Sequence, residues 1–104
     1  MIVPETAEKI KSMEIRGAGR IARAVAGALS DHARDLNTPS YEAFRKEMVT
    51  AAETLVATRP TAVSLPNAVH IVMNGLDKAT TLKEARSGII RRAEDFITSS
   101  TQAV

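Results

Sequence analysis

The 104-residue sequence has no cysteine and no tryptophan, with only two phenylalanines and one tyrosine. Without cysteine the chain forms no disulfide, no thiolate metal site and no cysteine nucleophile. So few aromatics argue against a β-sandwich, and no stretch alternates apolar and polar residues as a half-buried strand does. No apolar run approaches the ~20 residues needed to span a bilayer, and the opening Met1-Ile2-Val3-Pro4-Glu5 turns charged before a signal core can form. The expectation is a soluble, cytoplasmic protein with no targeting segment. Neither charge sign dominates: 14 basic residues against 12 acidic ones leave a formal +2, a field too weak to imply nucleic acid.

What is present reads as helix. A hydrophobic fraction of 44%, mostly Ala, Val, Ile and Leu, suffices for one core, so residues 1–104 are expected to form a single helical domain. Pro4, followed by Glu5 and Glu8, suits a first helix from about Pro4 to Met13. Ala18, Ile21, Ala22, Val25, Ala26, Leu29, Ala33 and Leu36 recur at three- and four-residue steps in a long second helix, with Arg20, Arg23, Ser30 and Arg34 off the stripe. A third, from about Tyr41 to Ala57 after a Thr38 or Ser40 cap, would bury Phe44, Met48, Ala51, Ala52 and Leu55 and pair Glu42 with Lys46. A fourth starts near Ser64 to Pro66, has the stripe Leu65, Val69, Val72, Met73 and Leu76, and stops at Asn74-Gly75. Thr81-Leu82-Lys83-Glu84 matches a capping box, opening a last helix on Leu82, Ala85, Ile89, Ala93, Phe96 and Ile97 that frays from Ser99 to Val104. The sum is an all-α, compact bundle of about five helices.

Little in the sequence points to chemistry. Arg16-Gly17-Ala18-Gly19-Arg20 stands where the long helix begins, and there free amides, glycines and the helix dipole suit a phosphate. The same spacing equally describes a tight turn between two helices with solvated arginines. Arg59, before Pro60, could present its fork to a phosphate or be an ordinary surface arginine. Ser64 reads as a cap, and Asn67 as a turn or supporting residue. His32 and His70 lie on different helices without a partner at metal-ligand spacing, so both are assigned to structure or surface. Arg86, Arg91 and Arg92, hemmed by Glu84, Glu94 and Asp95 and without interleaved aromatics, read as a solvated face. No phosphate loop, nucleophile elbow or dinucleotide fingerprint is present.

Taken together, the segments Lys9 to Arg23 and Thr58-Arg59-Pro60-Thr61-Ala62-Val63-Ser64-Leu65-Pro66-Asn67-Ala68-Val69 closely resemble the archaeal ribose-1,5-bisphosphate isomerases. That family also takes in methylthioribose-1-phosphate isomerase and the α, β and δ subunits of translation initiation factor 2B. The resemblance covers the whole chain but only the N-terminal third or so of such a protein, and implies an N-terminal helical domain lacking its Rossmann-like C-terminal half. It implies that Arg16, Gly17, Ala18, Gly19 and Arg59 bind the phosphorylated sugar. The family's catalytic cysteine and aspartate belong to the missing half, so no catalytic residue is assigned here and the piece alone is not expected to turn over substrate. The parent would convert ribose 1,5-bisphosphate to ribulose 1,5-bisphosphate in nucleotide degradation, with no metal or organic cofactor. Its partners would be the sugar phosphate and its own C-terminal domain, with homo-oligomers formed by the full-length protein. The alternative is a regulatory, protein-binding module like an initiation factor 2B subunit.

Overall fold

Each stretch of three- and four-residue apolar spacing becomes a helix: α1 (Ile2–Lys11), α2 (Ala18–Asp35), α3 (Tyr41–Thr58), α4 (Ser64–Met73) and α5 (Leu82–Gln102). A 3-10 turn, Leu76–Lys78, follows α4. The computed structural model describes residues 2–12, 17–58, 64–74 and 76–102, and among these there is no strand. The all-α expectation holds. Among the described residues no helix is long and apolar enough to cross a membrane.

All five helices feed one core. The largest fully buried side chains are Ile10 from α1, Val25 and Leu29 from α2, Phe44, Met48 and Leu55 from α3, Leu65 and Val72 from α4, and Ile89 from α5. At roughly 1.5–3 kcal/mol for each such side chain taken out of water, this shared burial is the main term holding the helices together. Helix α2 is central and packs against each of the other four. The radius of gyration, 12.9 Å, is that of a compact body of this length, about 13 Å.

Local chemistry sets the ends. Pro4 lies in the first turn of α1, where backbone N–H groups lack partners anyway, so the helix starts two residues earlier than its proline suggests. Ser40, not Thr38, caps α3 by accepting from the Ala43 amide at 3.2 Å; the Thr38 hydroxyl is buried without a partner. Thr81 accepts from the Glu84 amide at 3.1 Å as a capping box requires. The return arm differs: the Glu84 carboxylate accepts from the amide and hydroxyl of Thr80, at 3.1 and 2.9 Å. Helix α5 continues to Gln102 instead of fraying from Ser99.

Three expectations need correction. Ser30 is buried at 4% exposure, not off the apolar face, because a central helix buries more than one stripe. Glu42 and Lys46 are both exposed and form no ion pair with each other; Lys46 instead accepts on its carbonyl from the Thr50 hydroxyl. Arg86 and Arg92 are not a solvated face. Arg86 donates from Nε to the Ala33 carbonyl at 3.1 Å and from Nη2 to that of Leu36 at 2.7 Å, with its guanidinium 5.7 Å from the centre of the Phe44 ring. Arg92 donates from Nε to the Val72 carbonyl at 2.8 Å. Two cations from α5 thus satisfy carbonyls at the negative ends of α2 and α4. Arg91 is exposed, as the sequence suggests.

Candidate functional site

The helices alternate in direction, which decides what meets at each end of the bundle. Arg86, early in α5, reaches the last turn of α2, while Ile97, late in α5, lies 3.9 Å from where a Gly27 Cβ would stand; α5 is therefore antiparallel to α2. Phe44, in the first turns of α3, stacks with the same Arg86, so α3 starts at the end of α2 and runs back. Its first residue, Tyr41, donates to the Leu76 carbonyl at 2.6 Å, just past α4, so α4 is antiparallel to α3. The start of α2, the end of α3 and the start of α4 consequently share one end of the bundle. Helix α1 lies against the last turns of α3 there: Pro4, Ala7, Glu8 and Lys11 line a cleft of about 350 Å³ with Thr54, Ala57 and Thr58.

Of the two predicted phosphate segments, Gly17, Ala18 and Gly19 belong to the start of α2, at this end. Arg16 and Arg59 lie outside the described residues. Gly17 precedes α2 with φ 91° and ψ 134°, a conformation open to glycine and strained for other residues, and its carbonyl accepts the Ile21 amide at 3.0 Å. A Cβ there would meet nothing within 4 Å, so the backbone, not crowding, demands glycine. Its N-cap residue, Gly17, makes no side-chain cap, and the first turn of α2 carries no acidic residue. Ala18 and Gly19 form that first turn. A Cβ on Gly19 would lie 3.2 Å from Nη1 of Arg23, whose side chain folds back toward the helix start. The arrangement leaves amide donors and the positive end of a dipole free of any neutralising carboxylate from α2, which is what anion binding needs.

One device occurs twice among the described residues, in places where the sequence pattern marks only a turn glycine or a surface arginine. Gly19 with Arg23, and Gly88 with Arg92, are pairs four apart in which the missing side chain opens a path for a guanidinium along the helix. The Gly-x-x-x-Arg spacing is the signal that marks both. His32 is half-buried and His70 exposed, and among the described residues no cluster of three or more His, Asp or Glu could hold a metal ion.

Comparison with known proteins bears on the whole chain. The Initiation factor 2 subunit family matches residues 14–104, from the α1–α2 junction onward. Ribose 1,5-bisphosphate isomerase of Methanocaldococcus jannaschii is 47% identical over 99% of this chain and 32% of its own length. The same-named protein of Thermococcus kodakarensis is 47% identical over 98% of this chain and 33% of its own. Among solved structures, the delta subunit of translation initiation factor 2B from A. fulgidus superposes with a TM-score of 0.84 at 29% identity, covering 93% of this chain and 28% of that one. The chain spans about a third of the length of the curated relatives it matches. With nearly half its residues identical to theirs and its fold superposing on the delta subunit, the chain belongs to the Initiation factor 2 subunit family.

Proposed function

We propose that this chain is the N-terminal, substrate-phosphate-binding domain of a ribose-1,5-bisphosphate isomerase, with Arg16, Gly17, Ala18, Gly19 and Arg59 holding the sugar phosphate. The observation that carries the reading is the 47% identity, over nearly the whole chain, to two proteins of that name. The acid-free start of α2 behind a positive-φ glycine supports it. So does the alternation of helices, by which the start of α2, the end of α3 and the start of α4 share one end of the bundle. A bisphosphate has two anionic ends, and two helix starts at one end of the bundle suit it. Isomerisation itself, ribose 1,5-bisphosphate to ribulose 1,5-bisphosphate, is assigned to the full-length protein with its own C-terminal domain, in the cytoplasm of an archaeal cell.

The test is to titrate ribose 1,5-bisphosphate into the isotope-labelled chain and follow backbone amides. Shifts at Gly17, Ala18 and Gly19 that disappear in Arg16→Ala and Arg59→Ala are expected; normal binding by Arg59→Ala would overturn the assignment. The likeness to the delta subunit of initiation factor 2B favours a second reading, a regulatory protein-binding module. Capture of the purified initiation factor 2 complex by this domain, without any response to the sugar phosphate, would select it instead.

A further inference from the structure

We propose that the groove between α3 and α4 docks an amphipathic helix of another protein, two to three turns long, whose apolar stripe is flanked by lysine or arginine. The inference stands independently of the isomerase reading. Although α3 and α4 follow one another in sequence, a groove of about 620 Å³ lies between them, floored by Val49, Ala52 and Val56 on one side and Val69 and Met73 on the other. The four larger of these are only half-buried. Ile71, at 37% the one large exposed hydrophobic residue among the described residues, is on α4 as well but does not line the groove. Helix α4 carries no Asp, Glu, Lys or Arg at all. A helix on the outside of a bundle normally turns a charged face to water, so an uncharged one beside an apolar groove marks a surface suited to being covered.

Shape and charge select the occupant. The lining of α3 runs from Val49 to Ala57, which at 1.5 Å per residue is ~12 Å, about two helical turns. Its walls are two antiparallel helices presenting residues three and four apart, and such walls accept the i, i+3, i+4, i+7 ridge of a third helix. Among the described lining residues Glu53 is the only Asp, Glu, Lys or Arg, and it is exposed with no ion-pair partner among the described residues. A base on the flank of the incoming helix would answer it. The net charge of the chain, +2, opposes non-specific attraction of a basic peptide, so preference for one must come from this local acid.

The probes are two fluorescent helical peptides with the same leucine stripe, one flanked by lysines and the other by glutamates, added to the 104-residue chain and read by anisotropy and amide shifts. The lysine peptide is expected to bind preferentially, with shifts confined to residues 49–57 and 69–74. Glu53→Lys, an exposed substitution that leaves the core untouched, should weaken it by about tenfold, the order expected of one close charge pair, and reverse the preference. Met73→Glu should abolish binding of both peptides. Equal binding of the two peptides, shifts elsewhere on the bundle, or indifference to Glu53→Lys overturns the proposal. A sedimentation velocity run in which the chain is a dimer that Met73→Glu dissociates also overturns it, in favour of a second copy as the occupant.

Discussion

Arg92 reaches the Val72 carbonyl along a path that crosses Gly88, where a Cβ would stand 2.9 Å from Nη1 of the guanidinium. Glycine within a helix costs roughly 0.5–1 kcal/mol relative to alanine, and here the cost is offset by the bond it permits. Burial pushes the Arg92 pKa down, yet a guanidinium stays charged at any ordinary pH, so the bond is charge-assisted. Gly88→Ala therefore sets two effects against each other. The helix gains its propensity term, while a charged-donor bond of roughly 1.5–3 kcal/mol, reduced because Arg92 is only partly buried, is strained or lost. The net expectation is a loss of about 1 kcal/mol, seen as a melting temperature lower by about 4–8 °C. A higher melting temperature would show that the guanidinium moves aside without releasing Val72.

Arg86 joins three helices through two carbonyls and one aromatic ring. Arg86→Ala leaves the Ala33 and Leu36 carbonyls short of donors in a part-buried place and removes the cation from Phe44. A loss of about 2–3 kcal/mol in urea unfolding is expected. Arg86→Lys keeps the charge but not the planar fork that serves two carbonyls at once, and should recover less than half of that loss. Full recovery by lysine would mean that only charge at the end of α2 matters.

Phe44, Met48, Ala51, Ala52 and Leu55 were legible as the buried face of α3 because a helix repeats every 3.6 residues and each residue's burial follows from near neighbours in sequence. The roles of Arg86 and Arg92 were not legible in that way. Their partners lie 50 to 53 and 20 residues away, and an arginine on a helix reads as solvated until the carbonyls facing it are known. Ser30 failed for a related reason: which helix is central is a property of the assembly, not of its own periodicity. At the candidate site the residues Gly17 and Gly19 could be picked out from the sequence. That Gly17 needs a positive φ whereas Gly19 needs room for Arg23 could not, because both look alike as glycines beside a helix start.

The Thr80–Glu84 pair sets a pH dependence with a definite sign. Hydrogen bonds from the backbone and hydroxyl of Thr80 stabilise the Glu84 carboxylate and hold its pKa below the ordinary glutamate value. A carboxyl depressed in the folded state contributes stability above its unfolded pKa and loses it as pH falls through the lower folded value. Glu84→Gln should therefore be less stable than the parent at neutral pH and approach it on acidification. The group is fully exposed, so the difference is small, and a carboxyl-detected titration is the sharper measurement. A Glu84 midpoint at or above that of a glutamate in an unstructured peptide would contradict the pairing.

Gly17 and Gly19 make a matched pair of substitutions at the proposed sugar-phosphate site. At Gly17 an added Cβ meets open space but φ is 91°, so alanine is strained by its own backbone and Gly17→Ala should cost about 1–3 kcal/mol of stability. At Gly19 the backbone is helical, and the added Cβ meets only the flexible tip of Arg23 at 3.2 Å, so Gly19→Ala should fold with stability within about 0.5 kcal/mol of the parent. If the start of α2 binds the phosphate through its amides, a methyl group at position 19 narrows the approach and turns Arg23 aside. Binding of ribose 1,5-bisphosphate to Gly19→Ala should then fall by about tenfold or more, equivalent to losing one charge-assisted hydrogen bond. Urea unfolding and amide-shift titration on the same samples separate the two effects. Undiminished binding by a stable Gly19→Ala would move the phosphate away from the first turn of α2.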